Sequence, residues 1–292
     1  FSLIGGSVAD VFNRKRVMLA MQICLAFFAF ILAVTTFTNT INPIIIYILT
    51  GLSAIANSFD TPARQAFIPN LVEKKHLANA MSLNVIMFQT STIVGPLLAG
   101  LLIAKFNVAP IYIINSFSFI AVIISIILIK TRGSIHDNQT VLSLGSIKEG
   151  LVFVKSKTII WSTMVLDFFS TFFSSVSALF PIFAKDILHV GPQGLGLMYA
   201  APSIGAVLAR FIIAHMGTLS KQGKILLVSI VFFALGTIIF GLSKSFILSL
   251  LALFVVGAGD SVSTIIRNTV RQLATPNYIR GRMTSINMIF FM

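Results

Sequence analysis

Eight stretches of this chain stay apolar for far longer than a buried core helix needs, and they carry almost no ionisable groups. About 20 such residues in a helix, at 1.5 Å per residue, cross a hydrocarbon layer ~30 Å thick. The spans are predicted at Arg16–Phe37, Pro43–Phe59, Ala80–Ala104, Ile111–Lys130, Ile159–Ala184, Gly194–Met216, Ile225–Leu242 and Phe246–Ile266. Apolar runs at Phe1–Ala9 and Tyr278–Met292 read as parts of further spans. The expected fold is all-α and polytopic. A chain that is 57% hydrophobic, 10% charged and of mean hydropathy +0.98 has the balance of a membrane protein.

The formal charge of +13 is distributed by loop. Basic residues are dense in alternate connections, at Arg14, Lys15 and Arg16, then Arg64, Lys74 and Lys75, then Lys130, Arg132, Lys148, Lys155 and Lys157, then Lys221 and Lys224, then Arg267, Arg271, Arg280 and Arg282. The intervening loops hold only Lys105, Lys185 and Lys244, and Arg210 is read as the one basic residue well inside a span. Positive charge is retained on the cytoplasmic side, so the dense loops are expected to face the cytoplasm of a prokaryotic cell membrane. Charges spread over five loops do not make a nucleic-acid groove with stacking aromatics.

Enzyme chemistry finds no support in the pattern. Cys24 is alone inside a span, and His76, His136, His189 and His215 have no ligand-like spacing, so neither a metal nor a redox site is expected. The stretch "GTLSKQGK" lacks the spacing and the final hydroxyl of a phosphate-binding loop. No clustered intramembrane constellation of His, Asp or Ser suggests catalysis.

The longest polar segment, 131–157, divides the chain near its middle; its part Ser143–Val154 alternates like a short amphipathic surface helix. On either side, "NSFDTPARQAF" from Asn57 aligns without gaps to "DSVSTIIRNTV" from Asp260, a constant offset of 203 positions. The same offset places Arg64 on Arg267 and Ser82, Leu83 and Asn84 on Ser285, Ile286 and Asn287. A duplicated bundle in parallel orientation is expected: residues 1–130, a cytoplasmic central loop 131–157, and residues 158–292.

The segment Gly6-Ser-Val-Ala-Asp10-Val-Phe-Asn-Arg14-Lys15 resembles the loop signature G-x-L-A-D-R-x-G-R-K of the major facilitator superfamily. Val11 replaces the signature's first arginine, and Asn13 replaces its second glycine, whose left-handed conformation asparagine tolerates. The stretches "DTPARQAFIPNLVEKKHLANAMSLN", "IVGPLLAG", "IKEGLVFVKS" and "IRGRMTSIN" make the chain look like the branch that contains enterobactin exporters and macrolide efflux proteins. That resemblance implies two six-helix bundles, with helix 1, most of helix 11 and helix 12 outside this sequence.

The resemblance also implies roles. Asp10, which taken alone reads as a helix-end carboxylate in water, would lie against the amino end of the eleventh helix near Arg280–Ser285, and Arg14 would pair with Asp10 or Asp60. With Gly6, Lys15 and Arg64 this forms a cytoplasmic latch between the bundles. Gly95, Pro96 and Gly100 resemble the fifth-helix signature of proton–drug antiporters, with Ser91 and Ala99 where that signature has glycines; taken alone, such glycines mean helix packing.

Three further residues are read from their surroundings. Asp167 lies in "WSTMVLDFFSTFFSSV", where an ionised carboxylate is costly; it is either a proton carrier or a hydrated residue near the cytoplasmic end. Arg210 either pairs with Asp167 or extends its stem to the boundary. Asp260, in "VVGAGDSVST", is a candidate second titrating site. Gln89, Asn115 and Ser170–Ser175, with many phenylalanines, are candidate lining for a midplane cavity suited to amphipathic compounds.

The function expected is secondary transport: export of a small amphipathic molecule, such as a drug, macrolide or siderophore-like compound, by a monomer driven by protons and needing no cofactor. An uptake carrier for a small metabolite, or a non-transporting scaffold or receptor, are the alternatives.

Overall fold

The computed structural model describes residues 8, 12–106, 108–131, 152–173, 175–216 and 221–275, and no strand occurs among them. Eight long helices order the chain: α1 (Arg14–Phe37), α2 (Pro43–Phe67), α3 (Leu77–Phe106), α4 (Ala109–Leu128), α5 (Thr158–Phe173), α6 (Gly191–His215), α7 (Gln222–Leu242) and α8 (Phe246–Ala274). Among the described residues, seven are long and apolar enough to cross a membrane, and α5 is a shorter apolar helix.

The described residues fall into two units. One takes α1, α2, α4 and both ends of α3; the other takes residues 88–101 of α3 with α5 to α8.

In the first unit the helix starts follow from local chemistry. Asn42 Oδ1 accepts from the Ile45 amide at 2.9 Å, and Pro43, whose missing N–H costs nothing there, opens α2. Asn13 caps α1 in the same way, accepting from the Arg16 amide at 3.3 Å with extended φ and ψ of −61° and 111°. The left-handed turn expected at Asn13 is therefore not formed; asparagine suits the position as a helix cap. Met18, Gln22, Leu25, Ala29 and Ala33 make one buried stripe along α1. Its first part meets Ala63 and Phe67 of α2 and Ile126 of α4 in a small core.

The second unit is built on α8, which packs between α6 and α7. A methyl group at Gly257 would come within 1.9 Å of the Pro202 carbonyl oxygen, and one at Gly205 within 2.0 Å of the Phe254 oxygen. These contacts are backbone against backbone, the close approach that small residues allow inside a membrane.

The span predicted at Ile159–Ala184 is not one continuous helix. After α5 come a 3₁₀ segment at Ser175–Leu179, a single α-turn at Phe180–Ile182 and a π-turn at Phe183–Ile187. Pro181 explains part of the break, since it has no N–H to return to the carbonyl four residues earlier. That carbonyl, of Ser177, accepts instead from the Tyr199 hydroxyl at 3.2 Å. Phe180 then meets Phe240 edge-on and Phe183 stacks on it, which fixes the segment against α7.

Two spans run well past their predicted ends. α2 continues past Phe59 to Phe67 and α8 past Ile266 to Ala274, so Arg64, Arg267 and Arg271, assigned to loops from their charge, lie inside helices. Residues 152–154 of the expected amphipathic stretch are helical and the rest lie outside the described residues.

Candidate functional site

Asp260, Thr264, Arg267 and Arg271 are spaced i, i+4, i+7 and i+11 along α8 and so share one face. Asp167, about 14 Å along α5 from Thr158 at the helical rise, meets that face. Its carboxylate is 2% exposed, which rules out the hydrated reading. Two guanidinium groups hold it: Arg271 Nη1 donates to Oδ2 at 2.5 Å, and Arg267 Nε lies 2.7 Å from Oδ1. Both arginines are as buried as the aspartate, and a buried charge needs such compensation because removing it from water costs several kcal/mol.

The two arginines are held unequally. Arg271 also donates to Asn268 Oδ1 at 2.9 Å and, through Nε, to the Arg267 carbonyl at 3.2 Å. Arg267 is looser. Its contact with Asp167 is ionic but not a well-aligned hydrogen bond, and its Nη atoms reach Thr264 Oγ1 at 3.1 Å and Ser170 Oγ at 3.4 Å. Arg267 Nη2 also stands 3.8 Å from Asp260 Oδ1. In contrast to Asp167, the Asp260 side chain is 54% exposed.

One turn from the ion pairs the environment becomes dry. Val154, Ile160 and Met164 are fully buried, with Phe153, Trp161 and Ala274 packed against them. Met164 lies one turn before Asp167 and Ala274 one turn after Arg271, so this apolar cluster closes the ionic site at that end.

Arg210 does not pair with Asp167. Its Nε donates to Ser261 Oγ at 2.8 Å, which places its charge within reach of the neighbouring Asp260. It is also not the only basic residue well inside a span, since Arg267 and Arg271 are buried more deeply. Sequence reading missed both as partners because a charge at the end of an apolar run reads as a loop. The available signal was their helical spacing from Asp260 and the repeat match of Arg267 to Arg64.

In the first unit Asp60 is completely buried and pairs with Arg64 one turn along α2, and Gln22 of α1 donates to its Oδ1 at 3.1 Å. Arg14 Nη1 donates to the Ala66 carbonyl at 2.9 Å, whereas Asp60 takes Arg64 and Gln22. Lys15 Nζ donates to the carbonyls of Ile127 and Ile129 at 3.1 and 2.5 Å. The Arg-Lys pair thus serves the carboxyl ends of α2 and α4, where orphan carbonyls and the helix dipole favour cations. Gly6, Asp10 and the stretch from Arg280 lie outside the described residues.

On α3, Gly100 meets α6: a methyl there would fall within 2.6 Å of the Pro192 carbonyl, and one at Gly196 within 2.5 Å of the Pro96 carbonyl. Gly95 faces open space. Gln89 is half-buried, its oxygens near the Thr92 hydroxyl, and Asn115 is exposed on α4. A cavity of about 420 Å³ between α1 and α4 is lined mainly by apolar side chains, among them Phe30, Phe37 and Phe117, with Ser116. Among the described residues no group of three His, Cys, Asp or Glu side chains is arranged to hold a metal ion.

Comparison with known proteins places this arrangement. Residues 1–292 match the family described as transmembrane secretion effector. The enterobactin exporter EntS of Citrobacter koseri is 25% identical over 289 residues, covering 97% of this chain and 68% of that protein. The multidrug efflux pump Tap of Mycolicibacterium fortuitum is 25% identical over 295 residues, covering 98% and 72%. Among solved structures, an inward-facing, unoccupied bacterial homologue of the human lysosomal transporter Spinster has a TM-score of 0.74 at 14% identity, covering 99% of this chain and 67% of that one. A D-xylose–proton symporter has a TM-score of 0.68 at 16% identity, covering 99% and 74%. The likeness to these two structures is one of fold.

Proposed function

Because the chain belongs to the transmembrane secretion effector family of the major facilitator superfamily, and is therefore a multi-pass membrane transporter and not an enzyme, we propose that it exports a small amphipathic molecule against an inward flow of protons. The observation that carries this reading is the ionic cluster of Asp167, Arg267, Arg271 and Asp260 inside otherwise apolar spans. Ionisable groups at membrane depth are expensive and mark ion or substrate pathways. The direction is taken from the relatives, one named an exporter and the other an efflux pump.

Alternating access in this fold is a rocking of one bundle against the other, with the coupling groups biasing the two states. In this reading Asp60, Arg64, Arg14 and Lys15, together with Gly6 and Asp10, belong to the cytoplasmic latch. Gly95, Pro96 and Gly100 belong to the antiporter-like fifth helix. The transporter acts as a monomer in a prokaryotic inner membrane, with its central loop in the cytoplasm and no cofactor beyond the proton gradient. Gln89 and Asn115 are proposed as polar contacts for the substrate.

The test is transport by the purified protein in proteoliposomes under an imposed pH gradient, following a fluorescent amphipathic dye and proton movement together. Dye and protons moving in opposite directions is the expected result. Dye movement without protons would remove the coupling, and co-directional movement would point to uptake. No movement across a broad substrate panel would leave the scaffold reading.

A further inference from the structure

The unequal grip on the two arginines assigns them different tasks. Arg271 is fixed on three sides, by Asp167, Asn268 and the backbone of its own helix. Arg267 lies between two carboxylates with its Nε towards Asp167 and its Nη2 towards Asp260. A guanidinium presents donors on both edges of a rigid plane, so it can be shared between two acids in a way a lysine ammonium cannot.

The two acids differ in how far the protein covers them. Asp167 is 2% exposed, held by two guanidinium groups and closed at one end by the apolar cluster of Val154, Ile160 and Met164. Asp260 is 54% exposed and has one contact with Arg267, at 3.8 Å. The groups that face Asp260 are Thr264 and Arg267 from its own helix, Asp167 from α5 and Arg210 from α6; α7 brings no charged group to it among the described residues.

We infer that Asp260, rather than Asp167, is where the proton binds, and that Arg267 is the positioning residue that passes this event to the junction of α5 and α8. With Asp260 ionised, Arg267 is divided between two carboxylates. One proton taken from water onto Asp260 cancels one of those attractions, and Arg267 then closes on Asp167 alone. The four-residue cluster passes from neutral to a formal charge of plus one, and α5 is drawn more tightly onto α8. This deepens the proton-coupled reading above and rests on it for its physiological meaning.

The chain supplies its own reporter. Trp161 is its single tryptophan, lies on α5 and packs against the apolar cluster one turn or two from Asp167. Its fluorescence in the detergent-purified protein, followed as pH is varied, reads the α5 environment with no substrate present. The wild type is expected to show one sigmoidal transition. Asp260→Asn should abolish it, Asp260→Glu should keep it with a shifted midpoint, and Arg267→Lys should lose most of its amplitude. Thermal unfolding of each variant, compared with wild type, separates loss of the transition from loss of the fold, and Asp260→Glu keeps the test open if Asp260→Asn does not fold. A flat wild-type profile, or a transition in Asp260→Asn equal to that of wild type, would overturn the inference. A normal, Asp260-dependent transition in a protein whose transport moves no protons would sink the coupled-export reading alone.

Discussion

Arg271 Nη1 donates to Asp167 Oδ2 at 2.5 Å across 104 positions of sequence, and so joins α8 to α5. Both groups are buried, so removing one charge strands the other. Asp167→Asn keeps the side-chain shape, removes the carboxylate that both guanidinium groups share and leaves Arg267 only Asp260, at 3.8 Å. It is expected to lower stability by about 3–5 kcal/mol, visible as a fall in the detergent melting temperature. The double variant with Arg271→Gln should recover part of that loss, giving a non-additive cycle; additive effects would show that the pair does not act as one.

Two helical glycines should behave in opposite ways. Gly257→Ala would drive a methyl to within 1.9 Å of the Pro202 carbonyl, so α6 and α8 must separate; a loss at or beyond the ~1–3 kcal/mol of ordinary overpacking is expected, together with poor yield. Gly51→Ala meets nothing within 4 Å in the middle of α2 and is expected to be neutral or stabilising by up to ~1 kcal/mol. Thermal unfolding of the two variants side by side decides it.

Lys15, in the first turn of α1, is expected to matter more than lysines that only decorate the surface. Lys15→Met removes the charge that serves the carbonyls of Ile127 and Ile129, at a cost of about 1 kcal/mol and with faster hydrogen exchange at the end of α4. Lys75, paired with Glu73 at 2.8 Å on an exposed turn, should tolerate alanine within ~0.5 kcal/mol.

Tyr199→Phe removes only the donor to the Ser177 carbonyl. The expected cost is about 0.5–1 kcal/mol, concentrated in the irregular segment, so limited proteolysis between Ser175 and Ile187 should accelerate while the global melting temperature changes little.

Much of the fold was legible because length and hydropathy carry it. The starts at Pro43 and Phe246 and the ends at Phe37 and Leu242 coincide with the predicted spans, since each is set by a local transition or cap. The errors cluster where ion pairs override a local rule. Arg64, Arg267 and Arg271 read as loop residues, yet Asp60 and Asp167 neutralise them inside helices. Asp167 itself was legible as an isolated intramembrane acid. Its partners were not, because they lie 100 and 104 positions away and Arg210 was the nearer candidate. Gln22 carried no signal at all: a single amide in an apolar stripe reveals its purpose only when Asp60 is seen opposite it. The break after α5 was half legible in Pro181, while the π-turn that follows has no sequence rule to announce it.

The bare crossings of Gly257 with Pro202 and of Gly205 with Phe254 also limit how the second unit moves. Sliding between helices usually proceeds by side chains changing rotamer, and here two main chains touch with no side chain between them. α6 and α8 are therefore joined there with nothing between them to yield, and moving one past the other first requires the two backbones to part.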